Sequence, residues 1–118
     1  LKLLGVRIFK VASRAAWDFP YDDIPQATLF IVSDGMHPIP DRPDVIGLEC
    51  EAKYPSKAWW KGDQRGFSDH SGTPERAIDA IDRDCDMVEV HFHMHPKEAG
   101  PDLPASLTLE ELKEVCEA

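Results

Sequence analysis

Three of the five histidines fall within five residues, in Met87-Val-Glu-Val-His-Phe-His-Met-His95. Imidazole is the commonest side-chain ligand for zinc, copper, nickel and iron, and it exchanges a proton near neutral pH. The segment alternates: Val88, Val90, Phe92 and Met94 take one phase, and Glu89, His91, His93 and His95 the other. That pattern predicts a strand with the histidines on one face. Two imidazoles at i and i+2 can meet one ion, but a third at i+4 lies too far along, since two residues advance roughly 6.6 Å. His91, His93 and His95 are therefore candidate metal ligands, with one i, i+2 pair binding and the other ligands drawn from elsewhere. Glu49 and Glu51 lie in the wet phase of another alternating segment and are the candidate carboxylates and catalytic bases. His37, and His70 with Asp69, are loop candidates. Two histidines and a carboxylate leave a position open for water, which Zn2+ or another divalent transition metal would acidify. Without a metal the same face is a wet strand surface, or a pH-sensitive or self-associating one.

Elements that could position these residues follow from the pattern. Gly5 to Val11 is rich in β-branched residues and reads as a strand, although Leu4, Ile8, Val11 and Ala15 also have helical spacing. Thr28 to Val32 is a short apolar run stopped by the turn Ser33-Asp34-Gly35. Val45 to Tyr54 alternates, with Ile46, Leu48, Cys50, Ala52 and Tyr54 opposite Val45, Gly47, Glu49, Glu51 and Lys53. Ser56 to Gly72 is polar and glycine-bearing and reads as a long loop. Within it Trp59-Trp60-Lys61 could stack on a ring or simply cover the core edge. Ser68-Asp69-His70-Ser71 has the residue types of a hydrolase triad, yet sequence neighbours cannot adopt triad geometry, so it reads as a lead-in to a helix. Thr73-Pro74-Glu75 starts that helix, with Ala77, Ile78, Ile81 and Cys85 as its stripe. Pro96 closes the histidine strand. Thr108 and Glu111 form a capping box for a last helix that buries Leu109, Leu112, Val115 and Cys116.

The order β-β-β-α-β-α predicts a single α+β domain over residues 1–118. Its sheet is roughly four-stranded and largely antiparallel, with two helices on one face and an open polar face. The chain has 118 residues, 42% hydrophobic and 30% charged, as in a globular domain. Its formal charge of -9, from 22 acids and 13 bases, counts against nucleic-acid and anionic-membrane partners. No apolar run reaches membrane-spanning length. Cys50, Cys85 and Cys116 are odd in number and lack a CxxC pair, which points to reduced, buried thiols and a cytoplasmic setting.

Two local strings bear on function. His93-Met-His95-Pro96 with Thr108 and Glu111 resembles the His-x-His-Pro … Ser-x-x-Asp pattern of JAMM metalloproteases, with threonine for serine and glutamate for aspartate. The resemblance implies zinc on the histidines and Glu49 or Glu51 as general base. Pro43-Asp44 … Glu51-Ala-Lys53 resembles the PD-(D/E)xK nuclease motif, with Asp34 as an alternative first acid, which implies metal-assisted phosphodiester cleavage. The sequence thus predicts a small domain with a divalent-metal site on the histidine strand, acting as a metal-dependent hydrolase. The alternatives are a non-catalytic module that binds a partner or forms a homo-oligomer through the open sheet face, and the nuclease.

Overall fold

The computed structural model describes residues 4–95 and 100–118. Six strands run β1 (Ile8–Val11), β2 (Leu29–Ser33), β3 (Val45–Cys50), β4 (Gly66–Asp69), β5 (Met87–Phe92) and β6 (Ser106–Leu107). They lie side by side in chain order, and every neighbouring pair is parallel. This corrects the expected four-stranded, largely antiparallel α+β sheet: the protein is a half-barrel of parallel strands. Parallel neighbours require a crossover of about a dozen residues, and connections 12–28, 34–44, 51–65, 70–86 and 93–105 are all of that order. Two strands were not expected from sequence: β4, which lies within the segment 56–72 read as loop, and β6, just before the capping box of the last helix.

The pairing sorts side chains by face. Cys50, Ser68 and Glu89 share the inner face, as do Ser33, Leu48, Gly66 and Met87. Glu49, Phe67 and Val88 share the outer face. A flat sheet would hold β1 and β5 roughly 19 Å apart, at about 4.8 Å per strand. Yet Lys10 on β1 meets Glu89 on β5 at 3.4 Å. The sheet therefore curls, and its concave side brings the strand ends together.

Two core clusters lie on the convex side, while Leu48 is buried on the inner face. Phe9, Val11, Phe30 and Val32 pack under Phe19 and Tyr21 from the β1–β2 connection. Phe30 is 1% exposed and meets the rings of Phe9, Phe19 and Tyr21 at centroid distances of 5.0–6.0 Å. A second cluster joins Ala77 and Ile78 of helix α1 (Glu75–Asp82), Val115 of α2 (Leu109–Glu117), and Val88, Val90 and Leu107. Both helices pack on this convex side. The capping box of Thr108 and Glu111 is present on α2. At α1 no side chain caps the first turn. The helix ends before Asp84, whose positive φ of 62° turns the chain, so Cys85 lies beyond it. The three thiols are free, but Cys50 and Cys85 are only half-buried and Cys116 is exposed, which corrects their expected burial. Among the described residues no helix is long and apolar enough to cross a membrane.

Candidate functional site

Parallel strands carry their ligand sites at the carboxyl ends, where the following loops converge. Here those ends bring together Lys10 of β1, Ser13 just beyond it, Ser33 of β2, Cys50 of β3, Ser68 and His70 at the end of β4, and Glu89 and His91 of β5. Tyr54 closes one side. Each strand contributes an inner-face residue near its end, which is why polar groups from five elements share one concave surface.

The groups are interlocked. Lys10 Nζ donates to Ser33 Oγ at 2.9 Å and lies 3.4 Å from Glu89 Oε2. Ser68, 2% exposed, donates its hydroxyl to Glu89 Oε1 at 2.6 Å. Ser13 Oγ accepts the Gly35 N–H at 3.0 Å and so ties the loops after β1 and β2. A Cβ on Gly35 would stand 2.9 Å from that oxygen and 3.1 Å from the Cys50 carbonyl, so the close approach requires glycine.

His70 is 5% exposed, and burial pushes its pKa below the usual 6.5, which keeps it neutral. Its Nδ1 lies 2.8 Å from the Glu51 carbonyl oxygen, which can only accept, so Nδ1 carries the ring proton. Nε2 then holds a lone pair. Ser68 Oγ is 3.2 Å away, but its proton is already given to Glu89, so the lone pair remains available inside the pocket. The His91 ring stands 5.2 Å from the His70 ring, centroid to centroid. Tyr54 stacks on His70 at 4.4 Å and meets His91 edge-on at 5.7 Å. Asp102 Oδ2 is 3.9 Å from His91 Nδ1. The Cys50 sulfur is 3.8 Å from His70 Nε2, and burial pushes its pKa up, so it stays a thiol.

The candidate residues from sequence are dispersed. His91 enters the site, but alongside His70 rather than His93 or His95. His93 is half-buried beside Asp102 and Ser106, with Nδ1 unpartnered among the described residues. His95 is exposed, and Pro96 lies outside the described residues. Glu49 points to the convex side, 8% exposed, where it accepts the N–H groups of Lys61, Gly62 and Asp63 and shapes a turn. Glu51 is bound by the Ser56 hydroxyl, which holds its carboxyl below the usual range. Among the described residues no three histidine, cysteine, aspartate or glutamate side chains could hold a metal by themselves. Zinc, expected from the histidine run, therefore loses its support.

Sequence reasoning missed Lys10, Ser33, Ser68 and Tyr54. The available signal was a polar residue near the end of each strand-like run: Lys10 in Ile-Phe-Lys-Val, Ser33 after Ile-Val, and Ser68 and His70 in Gly-Phe-Ser-Asp-His.

A curved parallel sheet with a polar pocket at its carboxyl edge defines an α/β protein with a candidate ligand site at its strand ends. The chain belongs to the NeuB family, whose model matches residues 41–118. It is also 28% identical over 149 aligned residues to the N,N'-diacetyllegionaminic acid synthase of Campylobacter jejuni subsp. jejuni, covering 98% of this chain and 43% of that protein. The chain thus spans less than half the length of this relative. No solved structure matches it at a comparable level.

The family overturns the expected metal-dependent hydrolase and the nuclease, and leaves the non-catalytic module unsupported. The structure supplies the physical reasons. Thr108 and Glu111, the JAMM-like pair, are spent on capping α2. Asp44 and Glu51, the nuclease-like acids, are engaged by Arg42 and Ser56 and do not converge. The polar side chains form a concave pocket rather than a flat open face.

Proposed function

We propose that this chain carries part of the active site of an acidic-sugar synthase, acting in the manner of its legionaminic acid synthase relative. One observation supports this most: the ring of Lys10, Ser33, Ser68, Glu89, His70 and His91 at the carboxyl ends of the parallel strands. Lys10 supplies a fixed positive charge for an anionic group, and the hydroxyls of Ser13, Ser33 and Ser68 can orient its oxygens. Glu89 holds both Lys10 and Ser68, so it sets the position of the anion-binding groups. His70 offers a neutral Nε2 that can accept a proton from a reacting hydroxyl. Tyr54 shields that nitrogen from bulk water on one side.

A divalent cation fits the same nitrogens. The lone pair on His70 Nε2 faces only the weak thiol donor of Cys50 at 3.8 Å, since the Ser68 proton goes to Glu89, and His91 stands beside it. Substrate or water oxygens would have to complete the coordination shell. Such an ion would polarise a substrate oxygen. The three free thiols accord with a cytoplasmic setting for this reading.

The test is direct formation of N,N'-diacetyllegionaminic acid from its biosynthetic substrates, read by mass spectrometry. Product that disappears in His70→Ala and Lys10→Met supports the reading. Absence of product, together with absence of saturable anion binding at the pocket, would overturn it.

A further inference from the structure

The curled sheet ends in two open edges. β1 pairs only with β2, and β6 meets β5 only at His91 and Phe92. Among the described residues, then, no strand covers the outer edge of Ile8–Val11 or of Met87–Val90, four residues in each case. Backbone groups alternate in direction along a strand. Arg7 O accepts the Leu29 N–H at 3.4 Å, which turns the groups of Arg7 and Phe9 toward β2 and those of Ile8 and Lys10 outward. On β3, Leu48 O accepts the Asp34 N–H at 3.0 Å; carried through the registers of β4 and β5, this leaves the groups of Val88 and Val90 facing outward. Such edges are templates for a further strand, and natural proteins often block them with lysine or proline. Met87-Val-Glu-Val90 has neither. Instead an apolar groove runs along it, lined by Ile31, Leu48, Met87, Val88, Val90 and Leu112. On β1, Ile8 is 56% exposed in the same phase as Lys10, the inner one.

We propose that two copies of this chain pair edge to edge, β5 of each against β1 of the other, around a two-fold axis parallel to the strands. Inner faces must stay together and backbone groups must alternate, which fixes the register. Met87 lies opposite Ile8 of the second copy, Val88 opposite its Phe9, Glu89 opposite its Lys10, and Val90 opposite its Val11. Each pair matches in character: three are apolar, and the fourth sets a carboxylate beside an ammonium group. A slip of two residues loses this, because it places Glu89 against Ile8 or Met87 against Lys10. The occupant of the groove has to be a parallel strand that turns its outward groups at inner-face positions, and β1 is such a strand. The two-fold arrangement uses both edges of both copies, so the assembly closes as a dimer instead of growing into a filament. Glu89 lines the pocket, so β1 of the second copy also walls the pocket's open flank. The contact is made by strand edges rather than by the polar face, and it does not depend on the synthase reading.

The experiment is sedimentation velocity on the full chain over a micromolar concentration series. At about 0.15 M salt the Debye length of about 8 Å screens most of the repulsion between copies that each carry a charge of -9. A monomer–dimer equilibrium is expected. Val88→Pro removes an outward N–H and leaves the β4 ladder intact, so the variant should keep its fold by circular dichroism and stay monomeric throughout the series. Ile8→Glu sets a carboxylate against Met87 of the other copy and should raise the dimer Kd by roughly tenfold or more. Register is read by cross-linking. Ile8→Cys combined with Met87→Cys should form a disulfide between copies under mild oxidation, located by mass spectrometry, whereas Ile8→Cys combined with Val88→Cys, on opposite faces, should not. If Val88→Pro fails to fold, Ile8→Glu and the cross-link decide. A wild-type monomer across the whole series, a dimer that Ile8→Glu leaves intact, or a ladder of larger oligomers overturns the proposal.

Discussion

Replacing Lys10 with methionine separates what the site does from what holds the fold together. The ammonium group lies 2.9 Å from Ser33 Oγ and 3.4 Å from Glu89 Oε2, and the side chain is 35% exposed. A half-exposed pair of this kind contributes about 0–1 kcal/mol, and the neutral hydrogen bond about 1 kcal/mol more. Methionine keeps the aliphatic stem, so Tm should fall by no more than about 8 °C. The effect on an anion is larger. A unit charge about 4 Å from Nζ gains about 4 kcal/mol at an effective dielectric of 20, which exposure and salt reduce to roughly 1–3 kcal/mol. That corresponds to roughly 5- to 150-fold in affinity. Glu89, freed of its counter-charge, adds repulsion of the same sign. Calorimetric titration with inorganic phosphate and with acetate, beside a thermal melt, reads both quantities. Phosphate affinity within twofold of wild type in a folded Lys10→Met protein would refute the assignment of Lys10 as the anion anchor.

Two further outcomes are expected. Phe30→Ala empties a position enclosed by three aromatic rings and should cost about 3–5 kcal/mol, read as a large drop in the urea midpoint. A loss under 1 kcal/mol would mean that the convex cluster collapses around the hole. His70 is neutral in the fold because burial lowers its pKa below 6.5. The unfolded chain therefore binds the proton more readily, and the stability from neutral His70 is present above pH 6.5 and lost as pH falls through the folded pKa. Stability curves from pH 7.5 to 5 should slope downward in the wild type and more weakly in His70→Gln. Equal slopes would show that His70 is not the titrating group.

Local features were legible in the sequence wherever short-range physics decides them. The alternation of β3 and β5 was legible because a strand repeats every two residues, but only β5 was assigned to the correct sides: the polar phase of β3 lies with Val88 on the convex side, not with Glu89. Glu89 and His91 do share a face, and the box of Thr108 and Glu111 does cap α2. β4 was missed because Gly66-Phe-Ser-Asp69 is four residues long and contains one large apolar side chain, so its pattern resembles a loop. Glu49 misled for a related reason. A carboxylate in the polar phase was taken to face solvent, whereas it turns to the convex side and is satisfied by three backbone N–H groups of its own loop.

Strand direction was the decisive loss. Alternating apolar and polar phases suggested an antiparallel sheet with one wet side, since parallel sheets are usually covered on both faces. Here the inner face of a curled parallel sheet is itself the polar pocket, so it alternates as a wet face does. The long connections between strands, with no two-residue hairpin turn, already favoured crossovers. The sequence by itself determined four of the six strands, both helices, the alternation within β3 and β5, and the acidic charge of the chain, because these depend on neighbours within a few positions. Only the tertiary structure decided that Lys10 meets Glu89 across three intervening strands, and that His91 finds His70 rather than His93. Those meetings depend on sheet curvature and pairing order, which arise from contacts far apart in the chain and leave no local periodicity to read.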